Sequence, residues 1–320
     1  NRLTSVFGMG LTKGVRFFII YGIFSSLEHI IEIQADTLPT PTECGKVDLS
    51  TRIFGGVQTH VDEFPWSTML IYENKVNGDV GFACGGALIN HYHILTAAHC
   101  TQSEIMAKQN LVLSKVRLGE WNTESEIDCE MYENDDVLCS PGFRDYAIQE
   151  KIVHPQYDNR TQANDIALLR LAQEVEYTNF ISPICLPLQA DAVQKLYENV
   201  AAEVAGWGQT ETALYSKVKL KTTVTVKNLE QCKNHNMPQR VKNRIGGNQL
   251  CAMGIGTDAC HGDSGGPLML QDMQNGKNAY YVIGVISFGF DKKTCAVDGY
   301  ASIYTRLGPY IGWIKEQTQK

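Results

Sequence analysis

The sequence contains no apolar run approaching the roughly 20 residues that a membrane-spanning helix needs. The run near its start, Phe17 to Phe24, stops far short of that length. A basic excess is missing too, with 28 Lys plus Arg against 35 Asp plus Glu. Polyanions are held through such an excess, so no nucleic-acid partner is expected. No two cysteines stand in a CxxC pair, which removes the tidiest zinc ligand set. No segment of roughly 20 to 50 residues repeats, which excludes solenoids and propellers. At 43% hydrophobic residues, with 28 Gly and 10 Pro, the composition excludes collagen, coiled coil and disorder.

What is present is a chain of 320 residues with 10 cysteines, long enough to bury at least one large core. An even cysteine count of this size points to five disulfides and an oxidising compartment. A route there is visible at the start: Met9, then Lys13 and Arg16, then the apolar run to Phe24 and the small residues Ser25 and Ser26. That pattern is a secretory signal rather than a membrane anchor, so the protein is expected outside the cell, with no membrane partner. Residues 1–8 are given no structural role, and 1–43 are expected to comprise this signal and a Pro/Thr stretch, Thr37 to Thr42, that reads as an extended linker. The net charge of −7 has one source. Glu124, Glu126, Asp128, Glu130, Glu133, Asp135 and Asp136 crowd one segment without a Lys or Arg among them.

From Ile53 onward, short runs rich in Val, Ile, Leu, Tyr and Thr alternate with Gly, Asn, Asp and Pro, as in Ala87–Ile89, His93–Thr96, Ile166–Leu169 and Tyr281–Ile286. Many short strands of this kind make an all-β barrel or sandwich, and the length suits two packed barrels. Only the tail differs. Tyr310, Trp313 and Ile314 follow Pro309 at helical spacing, which predicts a short C-terminal helix laying one apolar face on the body.

Chemistry enters at Gly262-Asp263-Ser264-Gly265-Gly266-Pro267. A serine hydroxyl is a poor nucleophile until a base takes its proton, and it needs donors aimed at the oxyanion it creates. Upstream stand Leu95-Thr96-Ala97-Ala98-His99-Cys100 and Asn164-Asp165-Ile166-Ala167-Leu168-Leu169, which supply a base and an orienting acid. Each residue alone reads as a core histidine, a strand-end cap or a turn serine; the three motifs together do not. In this order of His, Asp and Ser, across residues 44–318, the chain resembles the trypsin/chymotrypsin-type serine proteases.

The resemblance implies two packed six-stranded antiparallel β-barrels with a short C-terminal helix. It makes Ser264 the nucleophile, His99 the general base and then acid, and Asp165 the carboxylate that fixes the imidazole tautomer, with an oxyanion hole from the Gly262 and Ser264 N–H groups. No cofactor is required for this catalysis. Asp258 falls at the floor of the specificity pocket, where a carboxylate selects a cationic side chain, so cleavage after Arg, or Lys, is implied. The pocket walls fall at Ser287, Gly289 and Ser302, the last where trypsin-like members usually carry Gly. Residues 44–52 become an activation peptide and 53–320 the protease domain. Cleavage at Arg52-Ile53 frees an ammonium that pairs with Asp263. A similar-looking Arg244-Ile245-Gly246-Gly247 is read as an exposed loop or autolysis point.

The same template pairs Cys44 with Cys185, Cys84 with Cys100, Cys232 with Cys251, and Cys260 with Cys295. Cys129 and Cys139 remain and bracket the acidic segment. A bridged insertion there resembles the arthropod clip-domain proteases of zymogen cascades. The clip module needs six cysteines upstream and only Cys44 lies there, so the module was lost or the chain is incomplete. The acidic segment reads as solvated surface charge, as a calcium site or as a docking surface for a basic partner. Family members hold calcium in the loop opening at Glu120, so the resemblance makes Glu120 and the Asn122 carbonyl its expected ligands. Asn159-Arg160-Thr161 is a glycosylation sequon. His91 and His93 are read as plain surface histidines. The implied protein is a secreted zymogen acting on protein substrates in an immune or developmental cascade, with an upstream trypsin-like activator and a serpin-type inhibitor. Two alternatives remain, a non-catalytic homologue that binds and regulates true proteases, and a digestive trypsin.

Overall fold

The structure, a computed structural model, describes residues 37–320 apart from 48–56, 103, 133–134, 211, 235–238, 255–259, 275–276 and 290–300. The signal-like segment, Arg52, Ile53, Asp258 and Cys295 therefore lie outside the described residues.

The short apolar runs form strands: β1 (Val57–Gln58), β2 (Ser67–Asn74), β3 (Val80–Leu88), β4 (His93–Thr96), β5 (Leu111–Leu118), β6 (Cys129–Met131), β7 (Val137–Cys139), β8 (Arg144–Val153), β9 (Ala167–Leu171), β10 (Ala201–Gly206), β11 (Leu220–Lys227), β12 (Gln249–Met253), β13 (Pro267–Gln274), β14 (Lys277–Phe288) and β15 (Ser302–Arg306). Strands β2, β3, β4, β9, β8 and β5 close into one barrel. Strands β11, β10, β13, β14, β15 and β12 make the second, which closes because β12 pairs back onto β11, and β1 adds to the outside of β11. Every ladder is antiparallel, as expected of the two-barrel fold.

The sequence pattern explains which strands lie between the barrels. Strand β11 alternates buried and half-exposed residues, as a strand with one wet face should. Strand β2 instead buries six residues in succession, because one face fills its own barrel and the other meets the second barrel. Leu70, Leu88, Ile94 and Leu168 are fully buried in the first barrel, in one continuous cluster with Met269, Val282 and Val285 of the second. Truncating any of those leucines to Ala removes about 2–5 kcal/mol. The Trp66 Nε1–H points at Met269 Sδ from 3.0 Å, and the Tyr280 ring packs on Phe64 and Trp66, so aromatic side chains seal the junction.

The tail behaves as its spacing predicts. A 3₁₀ turn at Gly308–Tyr310 leads into the helix Ile311–Gln317, which buries Tyr310 and Ile314 and sets Trp313 edge-on to His154 at 5.1 Å. Among the described residues no helix is long and apolar enough to cross a membrane.

The Pro/Thr stretch is not the extended linker expected. Residues 40–44 form a turn in which Glu43 accepts the Thr40 N–H at 3.0 Å and the Thr40 hydroxyl at 2.9 Å. Its end is bolted to the second barrel by Cys44–Cys185. Gly45 donates its N–H to the Pro183 carbonyl at 2.8 Å and accepts the Tyr280 N–H at 2.9 Å. At φ +65°, with a Cβ position only 2.4 Å from the Tyr280 oxygen, that site admits only glycine. Composition misled because the order comes from contacts far away in sequence.

Of the expected disulfides, Cys44–Cys185, Cys84–Cys100, Cys129–Cys139 and Cys232–Cys251 are formed. Cys260 is also bonded, and its expected partner Cys295 lies outside the described residues.

Candidate active site

The candidate base reaches its place through a strand end. Strand β4 stops at Thr96, Ala97 stays extended, and Ala98–Thr101 form one helical turn that carries His99. Ala97 and Ala98 are fully buried, and Cys100 ties the turn to Cys84 on β3. Asp165, immediately before Ile166 and β9, is also fully buried. Its Oδ1 accepts the His99 backbone N–H at 2.9 Å, and its Oδ2 lies 2.8 Å from His99 Nδ1. A carboxylate only accepts, so Nδ1 carries the proton and Nε2 presents a lone pair. Burial alone would push the His99 pKa down. The charge of Asp165 and its hydrogen bond outweigh burial, and the net shift is upward.

Two further donors fix Asp165, one at its carboxylate and one at its backbone carbonyl, and sequence reasoning missed both roles. The Ser287 hydroxyl donates to Asp165 Oδ2 at 2.5 Å, and the Thr305 hydroxyl donates to the Asp165 carbonyl at 2.8 Å. Ser287, expected only as a pocket wall, is thus a positioning residue. Tyr310 reaches the same corner by donating its hydroxyl to Asn164 Oδ1 at 2.8 Å. The partners lie 122 and 140 residues downstream, and no local motif announces contacts at that separation.

The serine turn is pinned from both barrels. Gly85 of β3 donates its N–H to the Ser264 carbonyl at 2.7 Å, while Gly265 donates to the Ile286 carbonyl of β14 at 2.8 Å. Gly265 has φ +83°, and a Cβ there would sit 2.3 Å from Thr96 Oγ1, so the residue after the serine must be glycine. The serine turn and the imidazole meet at one sulfur. Cys100 Sγ lies 3.5 Å from the Ser264 carbonyl oxygen and 3.6 Å from His99 Nε2. Cys84, His99 and Cys100 are close enough together to suggest a metal site, but disulfide sulfurs offer no thiolate. Among the described residues neither the Gly262 nor the Ser264 N–H donates to a protein acceptor, which leaves both for an oxyanion.

Between those two amides sits Asp263. Its Oδ1 accepts the Gly208 N–H at 2.8 Å and its Oδ2 the Cys260 N–H at 3.0 Å. Cβ atoms at Gly206 and Gly208 would come within 2.3 Å of its carboxylate oxygens, so both positions keep the space clear. Burial pushes its pKa up to about 6, against the pull of those two N–H groups.

The comparisons with known proteins agree with this geometry. The Trypsin family model matches residues 53–314. The chain belongs to the trypsin family. Its relatives include the Spaetzle-processing enzyme of Drosophila melanogaster, 41% identical over 289 residues that cover 89% of this chain and 71% of that one. The CLIP domain-containing serine protease HP8 of Bombyx mori is 43% identical over 288 residues, covering 88% of this chain and 73% of its own. Among solved structures, the Drosophila Grass clip serine protease of the Toll pathway superposes with a TM-score of 0.71 at 33% identity, covering 86% of this chain and 74% of that one. As a trypsin-family member with clip-domain relatives, the protein is a serine endopeptidase.

Of the trypsin-like specificity pocket, Asp258 lies outside the described residues, while Ser287 and Ser302 are buried. A Cβ built on Gly289 would lie 3.9 Å from Ser302 Oγ, so these two residues do face each other. The loop opening at Glu120 is organised around two buried carboxylates. Glu120 accepts the Trp121 N–H at 3.0 Å and Arg117 Nη1 at 3.1 Å. Asp128 accepts the Asn122 N–H at 3.0 Å and the Ser125 hydroxyl at 2.6 Å, and the Asn122 carbonyl accepts the Ser125 N–H at 3.0 Å. Burial, reinforced by the Asp128 charge, holds Glu120 above the usual carboxylate range despite Arg117. The expected calcium ligand Glu120 is thus met by Arg117 and Trp121, and Asp128, which sequence reasoning did not single out, is the second buried carboxylate of this loop and bonds Asn122.

Three surface expectations are refined. His93 is fully buried, with Nδ1 3.0 Å from Asn90 Oδ1, and His91 stacks on Tyr177 at 3.8 Å, so neither is a plain surface histidine. Both make ordinary structural contacts. Arg244 is exposed, but Ile245 is buried beside Cys232 and Cys251, so the bond between them is anchored on one side. Asn159 of the sequon is exposed in a turn closed by the Asp158–Ala163 bridge.

Because the shift on His99 is upward, the acid limb of kcat/KM is expected above pH 6.5. NMR titration of His99 in Ser264→Ala should show the same value and, with Asp165→Asn added, a fall below 6.5, where burial acts alone. Ser287→Ala removes a hydrogen bond to a charge worth about 1.5–3 kcal/mol, and kcat should drop by roughly tenfold or more with KM little changed.

Proposed function

We propose that this protein is a secreted zymogen, converted by cleavage after Arg52 into an endopeptidase that cuts protein substrates after Arg, or Lys, in an extracellular immune or developmental cascade. Asp263 carries the reading. Its carboxylate lies half-buried in the oxyanion turn, and among the described residues no cation answers it. A new ammonium at Ile53 would supply that cation, and the pair would hold Gly262 and Ser264 in place.

In the proposed mechanism Ser264 Oγ attacks the scissile carbonyl as His99 Nε2 takes its proton. The imidazolium so formed is stabilised by Asp165, and the oxyanion by the Gly262 and Ser264 N–H groups. His99 then gives its proton to the leaving amine, and water repeats the sequence on the acyl-enzyme. Asp258 would hold the cationic side chain, with Arg preferred because its planar fork pairs two-pronged with a carboxylate. The single basic residue at Arg52 makes a trypsin-like protease the expected activator, and a serpin-type inhibitor is expected of such a cascade. The names of the Spaetzle-processing and Toll-pathway relatives support the cascade reading. One observation favours a second reading, a non-catalytic binding regulator: Ser302, which stands where trypsin-like members usually carry Gly, turns its hydroxyl to Gly289. Glu120, Asp128 and the Asn122 carbonyl are proposed to hold a structural calcium ion, which would brace the loop and take no part in catalysis.

Recombinant chain cut after Arg52 should hydrolyse Arg peptide amides well, Lys less and Phe hardly, with no turnover in Ser264→Ala. N-terminal sequencing of the active form should begin at Ile53, and any other start overturns the activation scheme. Silence in folded, correctly cut protein, cured by Ser302→Gly, favours the regulator.

The raised Asp263 pKa means that the uncut folded chain holds a proton the unfolded chain has lost between pH 3.8 and about 6. The stability contributed by that proton is therefore present at low pH and is lost as pH rises through about 6. Urea unfolding across this window should show the decline in uncut chain and its disappearance in Asp263→Asn. EDTA should lower the Tm and speed autolysis; no effect of EDTA would remove calcium from the scheme.

A further inference from the structure

The acidic insertion plays no part in the chemistry above, and much of it is an ordered ribbon. Strands β6 and β7 pair with Cys129 opposite Cys139, Glu130 opposite Leu138 and Met131 opposite Val137. Side chains alternate across such a ribbon, so Glu130 and Leu138 share one face while Met131 and Val137 share the other with the disulfide. The first face is turned to the body. Glu130 Oε1 lies 2.8 Å from His60 Nδ1, and its Oε2 accepts the Val61 N–H at 3.1 Å. The second face is in water, with Met131 71% and Val137 57% exposed, both cysteines exposed, and Ile127 just upstream exposed as well.

A contiguous apolar face of this kind marks an interaction site more often than scattered surface residues do. The charge of its segment states the sign of the partner. Glu124, Glu126, Asp135 and Asp136 of the same segment are all exposed, and Lys217 meets Glu124 at 2.6 Å. The disulfide and the His60 anchor hold the ribbon in shape before anything binds, which lowers the ordering cost of docking. We propose that this face docks a segment of the protein substrate in which Lys or Arg side chains flank apolar ones, remote from the scissile bond. The proposal rests on the endopeptidase reading and names its substrate class: proteins that carry such a segment in addition to the cleaved bond.

The test uses Ser264→Ala chain, so that the probe is not cut, and a fluorescein-labelled peptide of alternating Lys and Leu residues read by anisotropy. Met131→Ser/Val137→Ser should weaken binding about tenfold and Glu126→Gln/Asp135→Asn about threefold, with the charge effect fading in high salt. A matching Glu/Leu peptide should not bind. Equal affinity in the Met131→Ser/Val137→Ser variant, or equal binding of the Glu/Leu peptide, overturns the proposal. So does a dimer in light scattering that the variant abolishes, because the occupant is then a second copy. The replaced side chains are exposed, and an unchanged Tm verifies folding. Hydrolysis of a short Arg peptide amide by activated enzyme separates the two readings. Equal rates in native and variant protein support a face used only for docking, and unequal rates overturn it. Failure of the native enzyme to cut overturns the endopeptidase reading, while the anisotropy result still decides the face.

Discussion

One buried carboxylate holds this molecule's chemistry together. Asp165 belongs to the first barrel by sequence, yet its carboxylate accepts from His99 on one side and from Ser287 of the second barrel on the other, while Thr305 of that barrel donates to its backbone carbonyl. An ionised group at zero exposure is costly unless it is fully satisfied. Here satisfaction requires both barrels to be packed in register. Strand β14 contributes Ser287, β15 contributes Thr305, and the turn before β9 contributes the carboxylate itself, so the barrel junction and the site are one structure. A change that slides one barrel against the other would leave a charge buried with too few donors, and the imidazole would lose its orientation in the same event.

Asp263 presents the opposite case. It is half-buried, two N–H groups are all that receive its carboxylate among the described residues, and its pKa rises accordingly. Glycines at 206 and 208 hold the surrounding space open. A group held in that state is a natural control point, because a single added positive charge close to a half-buried carboxylate changes its energy by several kcal/mol. The stable carboxylate orients the base, and the unstable one sits inside the turn that must present two amides to an oxyanion. Readiness and restraint are thus assigned to different acids.

How far the sequence discloses this follows from the range of each interaction. The three motifs around His99, Asp165 and Ser264 are local, and strand-rich runs bounded by Gly and Pro are local as well, so the fold class and the candidate triad were legible. Ser287 was visible only as a member of the pocket wall, because its bond to Asp165 spans 122 residues. Thr305 gave no signal. The Pro/Thr stretch read as a linker because composition reports the chain's own preferences, whereas its order comes from Pro183, Cys185 and Tyr280. His93 read as a surface residue because alternation along a strand does not say which face is wet. Asp128 lay within a run of acids, and nothing in that run distinguishes the one buried carboxylate that turns inward to Asn122 and Ser125.

That acidic run is where charge and position separate most clearly. Asp128 and Glu130 face inward and hold the segment to the body, while Glu124, Glu126, Asp135 and Asp136 face water. The inward acids are tied to named donors and so set the shape of the ribbon. The outward ones are far less constrained by the fold. A long insertion in a surface loop is tolerated cheaply by the body it leaves, but this one is also braced by a disulfide and by His60, and the face it holds rigid is apolar. Rigidity adds little for a segment whose only task is to be solvated. It matters when a surface must meet another surface without first paying to become ordered.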